Sequence, residues 1–98
     1  MNLKSYKDSL VRDEPPSGLT AALEALWWDA KGAWDRAHER AQAQGGASGA
    51  WVHAYLHRKE GDISNARYWY GQAGRTPVAD VPLEAEWEEI ARALLAKS

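Results

Sequence analysis

The fold is decided by the segment Ala54-Tyr-Leu-His-Arg-Lys-Glu-Gly61-Asp-Ile-Ser-Asn-Ala66, in which a Gly-Asp pair separates two stretches with helical apolar spacing. Glycine ends helices because it tolerates the left-handed conformation, and an aspartate after it can cap the helix that follows. The same spacing of flanking alanines recurs around Gly32, 29 residues earlier (61 − 32 = 29). The chain therefore contains two related segments, each of which predicts a helix, a tight turn and a second helix.

Apolar residues recur at helical spacing along most of the chain, and no window alternates with the period of two that is typical of a strand. We predict five helices, over about residues 19–30, 33–44, 48–60, 63–73 and 81–94. Thr20 or Ser17 can cap the first helix, Asp62 the fourth and Asp80 the last. The pattern leaves open whether Gly32 breaks the first helix or lies within a longer one, because a single glycine costs only about 1 kcal/mol relative to alanine.

The N-terminal residues 1–17 are polar and end in Asp13-Glu14-Pro15-Pro16, a sequence that disfavours helix. We predict an extended N-terminal arm over 1–17, held on the body by Tyr6, Leu10 and Val11. Residues 18–98 then form a single helical domain. The predicted fold class is all-α, with two antiparallel helix hairpins and a C-terminal capping helix.

Composition excludes several classes of function. The 98 residues carry a net charge of −2, whereas nucleic-acid-binding domains are usually basic. Cysteine is absent, which removes disulfides, thiolate nucleophiles and cysteine-based metal sites. No apolar run is long enough to span a bilayer. We therefore expect a cytoplasmic protein with no nucleic-acid or membrane partner. Six Trp and four Tyr without any Phe make the aromatic content unusual.

The quoted segment resembles the helix–turn–helix units of tetratricopeptide and Sel-type repeats. Gly61-Asp62, Ala66, Tyr70 and Ala73 match the glycine turn and the small–aromatic–small spacing of the second repeat helix. The resemblance covers about residues 20–75 as two degenerate repeats. It implies a non-enzymatic adaptor that binds a protein or peptide partner, or a second copy of itself.

His53, His57 and Glu60 share one face of the predicted third helix, at i, i+4 and i+7. Two imidazoles at this spacing can bind zinc, but catalytic zinc sites use a third protein ligand. Glu60 lies almost two turns from His53, which places it poorly for that role. We therefore favour histidines that hydrogen-bond neighbouring helices, and predict no metal, no cofactor and no catalytic residue.

Trp27 and Trp28 are adjacent, so the two rings point about 100° apart on a helix and cannot both face the same core. Trp28 could instead border a recess that suits a peptide or a small anionic ligand. The candidate binding residues are Trp28, His53, His57, Arg58, Glu60, Arg67 and Tyr68. The alternative function is a small-ligand-binding protein or hydrolytic enzyme that uses the face formed by His53, His57 and Glu60.

Overall fold

The structure, a computed structural model, describes residues 1–97 and contains six α-helices and no strand within that range. The helices are α1 (Leu3–Asp8), α2 (Ala21–Ala30), α3 (Trp34–Ala43), α4 (Gly46–Glu60), α5 (Ile63–Gln72) and α6 (Leu83–Lys97). The predicted all-α class is confirmed. None of the described helices has both the length and the apolar character needed to cross a membrane.

Two hairpins form the body, α2 with α3 and α4 with α5. Gly32 breaks the first pair, since its φ of 81° lies in the left-handed region and ends α2. Gly61 has a φ of 89° and ends α4 in the same way. Asp62 then caps α5 by accepting a hydrogen bond from the Asn65 amide at 3.2 Å, and Thr20 caps α2. The two hairpins and these caps agree with the sequence.

Helix α4 lies at the centre and packs against α2, α3, α5 and α6. Helix α6 lies across α2 and α4, where the Trp87 indole donates a hydrogen bond to the Leu26 carbonyl oxygen at 2.9 Å. The core combines large side chains with many alanines. The fully buried alanines are Ala22, Ala25, Ala37, Ala54 and Ala91. They let the helices approach closely around Trp27 and Tyr70.

The N-terminal segment differs from the extended arm predicted over 1–17. Residues Leu3–Asp8 form α1, and Ser9–Val11 continue as a 3₁₀ turn. Asn2 and Ser5 make a reciprocal capping box, which supplies partners for free amides at the helix start. Tyr6 is fully buried and stacks on Trp87, so it anchors the segment as predicted. Val11 is exposed and does not anchor it.

Two predicted helix starts are also corrected. Helix α6 begins after Pro82, whose carbonyl oxygen accepts from the amides of Ala85 and Glu86, so Asp80 does not cap it. Helix α4 begins at Gly46, two residues before the predicted Ser48. Proline suits a helix start because its missing N–H would have no partner there anyway.

Candidate metal centre

All three histidines of the chain converge between α3 and α4. His38 lies on α3, and His53 and His57 lie one turn apart on α4. The Nε2 atoms of His38 and His53 are 2.9 Å apart. One ring nitrogen of each histidine lies within 4.8 Å of one ring nitrogen of each of the others. The three imidazoles thus form a single cluster, the histidine cluster.

The connection between α3 and α4 brings these residues together. It is only Gln44-Gly45, so the two helices run back along each other, and residues at similar distances from it on either side face one another. Gly49 permits the tight approach of the connection to α4, because a Cβ at this position would lie 2.0 Å from the Gln44 carbonyl oxygen. His38 and His53 are thereby placed opposite each other.

Two tryptophans hold the cluster from its sides. Trp34 stacks on His38 with ring centroids 4.9 Å apart and an interplanar angle of 11°, and Trp69 stacks on His53 at 4.0 Å and 10°. The Trp34 indole donates to the Leu56 carbonyl oxygen at 3.0 Å, which fixes its orientation. Trp34 and Trp69 are both half-buried and also pack against the hydrophobic core. The stacking restricts rotation of the histidine rings.

Glu60 orients the third ring. Its Oε1 lies 2.7 Å from Nδ1 of His57, and the His57 side chain is buried while Glu60 is partly exposed. A carboxylate at this distance favours the tautomer that carries its proton on Nδ1, which leaves a lone pair on Nε2. Metal-binding histidines almost always have such an outer partner. Glu60 therefore orients the ligand His57 and is not itself one of the three ligand residues.

Burial keeps the other two rings neutral. Burial is the first cause that lowers the pKa of His53, to about 4, and the nearby His38 and His57 lower it further. Burial also lowers the pKa of His38, again with a contribution from His57. At neutral pH both rings are uncharged, the protonation state that metal ligation requires.

The spacing of the nitrogens suits a small tetrahedral ion. Zinc–nitrogen bonds of about 2.0–2.1 Å place two imidazole nitrogens of a tetrahedral site about 3.3 Å apart. The 2.9 Å separation of His38 and His53 and the 4.8 Å limit for the whole cluster bracket that value. Small rotations of the three rings would therefore seat an ion and leave its fourth position open.

The structure brings together only part of the predicted site. His53, His57 and Glu60 lie in one place, and His38 is the neighbour that our sequence analysis missed. Trp28 lies elsewhere, edge-on to Trp27 and 4.5 Å below the Arg36 guanidinium. Arg67 and Tyr68 are exposed on α5.

Arg58 belongs to a different polar cluster, centred on the fully buried Glu86 of α6. The Arg58 guanidinium donates to Oε1 of Glu86 at 2.8 Å, and Tyr70 donates to Oε2 at 2.6 Å. The Trp51 indole lies 3.4 Å from the same Oε2. We call these four residues the Glu86 cluster. Its carboxylate has a partner on each oxygen, so it ties α6 to α4 and α5.

Comparison of the chain with protein-family models, with curated protein sequences and with solved structures found no match. The resemblance to tetratricopeptide and Sel-type repeats therefore stays a prediction. The function has to be argued from the side chains themselves.

Proposed function

We propose that this protein binds a divalent transition-metal ion of the zinc type through His38, His53 and His57. The observation that carries the proposal is the convergence of every histidine of the chain on one point, with ring nitrogens within 4.8 Å of one another. A helix hairpin needs no such cluster for its stability, since apolar side chains of similar size would pack without polar groups to satisfy. This proposal differs from our prediction, made from the sequence, of no metal and no cofactor.

The chemistry of the cluster selects the class of ion. Neutral imidazole suits zinc, copper and nickel, whereas calcium and magnesium require oxygen ligands. Three nitrogens and one open position resemble the donor count of zinc sites that keep a water or another ligand. The two stacking tryptophans and the Glu60 carboxylate hold the donors in place before the ion arrives, which lowers the entropic cost of binding.

The direct test is titration with Co²⁺, which reports its coordination by visible absorption, followed by calorimetric titration with Zn²⁺. We expect one ion per chain and a Co²⁺ spectrum of tetrahedral type. His38→Ala and His53→Ala should each abolish that spectrum, since two remaining imidazoles make a poor site.

The matched control is Glu39→Ala, which changes an exposed residue next to His38 on α3. It should bind the ion as the wild type does, with an unchanged helical circular dichroism spectrum. Absence of binding by the folded wild-type chain, or equal binding by His38→Ala and wild type, would show that the histidine cluster is structural.

Protein interaction is the second candidate function, and the outer face of α5 favours it. Helix α5 packs chiefly on α4, and Ile63 and Tyr68 on α5 expose 50% and 58% of their surface. A partner or a second copy of the chain would cover these side chains beside Arg67. Sedimentation velocity over a range of concentrations tests self-association: we expect the mass to rise with concentration in the wild type and to stay monomeric in Tyr68→Lys. A monomer at every concentration would exclude self-association.

A further inference from the structure

A cavity of about 480 Å³ lies beside the histidine cluster, between the end of α3, the first turns of α4 and the C-terminal half of α5. His53 and Trp69 form its wall toward the cluster, and the amides of Gln42, Gln44 and Gln72 supply its polar groups. No aspartate, glutamate, lysine or arginine lines it. Its size lies in the range of small-molecule sites.

One ring nitrogen of His53, which lines this cavity, has no hydrogen-bond partner within the described residues. His53 is 4% exposed, and its one hydrogen bond runs from Nε2 to His38. Every fully enclosed side-chain nitrogen and oxygen in residues 1–97 has a hydrogen-bond partner. Nδ1 of His53 has none, so it is not fully enclosed, and His53 is one of the residues that line the cavity.

The two histidines of α4 differ in their outer partners. Glu60 accepts from Nδ1 of His57, but the chain provides no carboxylate for Nδ1 of His53. With Nε2 bound to a metal ion, Nδ1 of His53 must carry the proton and point it outward. We infer that the cavity binds a small carboxylate, which accepts a hydrogen bond from Nδ1 of His53 in the position that Glu60 takes at His57. This inference rests on the proposed metal binding.

The lining favours an anion with an apolar body. The amides of Gln42 and Gln72 can donate to a carboxylate, and the first turn of α4 contains no acidic residue that would repel it. The N-terminus of α4 also lacks a side-chain cap at Gly45. The positive end of its helix dipole, at the edge of the cavity, is therefore not balanced by a side-chain acceptor. The Trp69 ring offers a surface for an apolar group, since the volume exceeds that of a bare carboxylate.

Binding of the two ligands is linked. A carboxylate on Nδ1 makes the imidazole a stronger metal ligand, and such outer partners change metal affinity by about 10–100-fold. Linkage is reciprocal, so the ion must raise the affinity for the carboxylate by the same factor. The cavity thus makes metal binding responsive to a small organic acid.

The test is calorimetric titration of Zn²⁺ into the full chain at constant ionic strength, in sodium chloride, sodium benzoate or sodium chloride with benzamide. We expect benzoate to raise the apparent Zn²⁺ affinity about 10-fold, and benzamide, of the same shape without the charge, to have no such effect. The variant Gln42→Leu/Gln72→Leu keeps the size of both side chains and removes their amide donors from the lining. It should keep the Zn²⁺ affinity measured in chloride and lose the effect of benzoate.

The outcomes separate the two proposals. If Zn²⁺ does not bind in any buffer, the metal site itself is wrong. If Zn²⁺ binds with one affinity in all three buffers, the carboxylate inference is overturned and the metal site stands. An undiminished benzoate effect in the double variant would overturn the location. A benzoate-induced change in the band positions of bound Co²⁺ would place the carboxylate on the ion and overturn the role of Nδ1.

Discussion

Helix α4 carries two polar clusters on faces about 130° apart, at 100° per residue, and they are built on opposite principles. On one face, Arg58 and Trp51 contact Glu86 of α6. The Arg58 charge balances that of the Glu86 carboxylate, and both side chains donate hydrogen bonds to it. On the other face, three basic rings meet with one hydrogen bond among their nitrogens and lone pairs left over.

The difference separates a polar group that holds helices together from one that can receive a ligand. The Glu86 carboxylate has partners on both oxygens and no exposed surface for another molecule, and its removal leaves a buried charge behind. Imidazoles with free lone pairs keep their capacity to bind another molecule. The predictions below test this division, from the largest expected effect to the smallest.

Glu86→Ala should destabilise the fold most. It leaves the Arg58 guanidinium, whose side chain is 10% exposed, without its buried partner, and breaking such a pair costs about 3–5 kcal/mol. Urea unfolding followed by circular dichroism measures the loss. Glu84→Ala, an exposed residue one half-turn away, should stay within about 0.5 kcal/mol of wild type. A loss below about 1 kcal/mol for Glu86→Ala would mean that the Glu86 cluster does not stabilise the packing of α6.

Glu60→Gln should affect ligand binding and leave stability unchanged, the reverse of Glu86→Ala. The amide cannot fix the His57 tautomer as a carboxylate does, so Zn²⁺ affinity should fall about 10–100-fold. Because Glu60 is partly exposed, the free energy of unfolding without metal should change by less than about 0.5 kcal/mol. Paired Zn²⁺ and urea titrations measure both quantities. Unchanged affinity would remove Glu60 from the metal site.

Alkaline pH should destabilise the protein through its buried tyrosines. Burial raises the pKa of Tyr6, Tyr55 and Tyr70 above 10, and for Tyr70 the hydrogen bond to Glu86 adds to it. In the unfolded chain these tyrosines ionise near pH 10, whereas in the folded chain they stay protonated at that pH. The stabilisation is therefore complete below pH 10 and is lost as the pH rises, by up to about 1.4 kcal/mol per pH unit for each tyrosine.

Tyr70→Phe isolates the share that belongs to the Glu86 cluster. Its unfolding free energy should fall less steeply with pH above 10 than that of the wild type, in urea titrations at successive pH values. Tyr68→Phe changes an exposed tyrosine and should leave the slope as it is. Equal slopes for Tyr70→Phe and wild type would contradict the assignment.

Asp62→Ala should have the smallest effect and decides a question about the histidine cluster. A carboxylate oxygen of Asp62 lies within 4.8 Å of ligand atoms of His57 and Glu60, yet the same side chain caps α5. Loss of a cap costs about 1 kcal/mol of stability. If capping is its role, Zn²⁺ affinity measured by calorimetry stays unchanged. A large drop in that affinity would make Asp62 a ligand.

Local signals in the sequence predicted the body of the fold. Gly32, Gly61, Thr20 and Asp62 act through their own backbone and immediate neighbours, so the boundaries they set can be seen without tertiary information. Helix α1 was missed because six residues form no stable helix alone. It depends on Tyr6 reaching a core that a periodicity pattern does not show.

The candidate site was predicted only in part, for a similar reason. His53 and His57 share a helix, so their spacing shows that they meet, whereas His38 meets them across a hairpin. A signal was present: His38 and His53 lie at comparable distances on either side of Gln44-Gly45. It becomes visible only when that pair is recognised as the connection between antiparallel helices, which our prediction of a helix start at Ser48 obscured.

The stacking of Tyr6 on Trp87 has a consequence for the order of events during folding. These rings join the first and last helices of the described chain, and Lys7 and Glu88 form an ion pair beside them. Contacts so distant in sequence form slowly, because a long loop must close first. The hairpins can assemble from local contacts as they leave the ribosome, but α1 has no stacking partner until Trp87 has been synthesised.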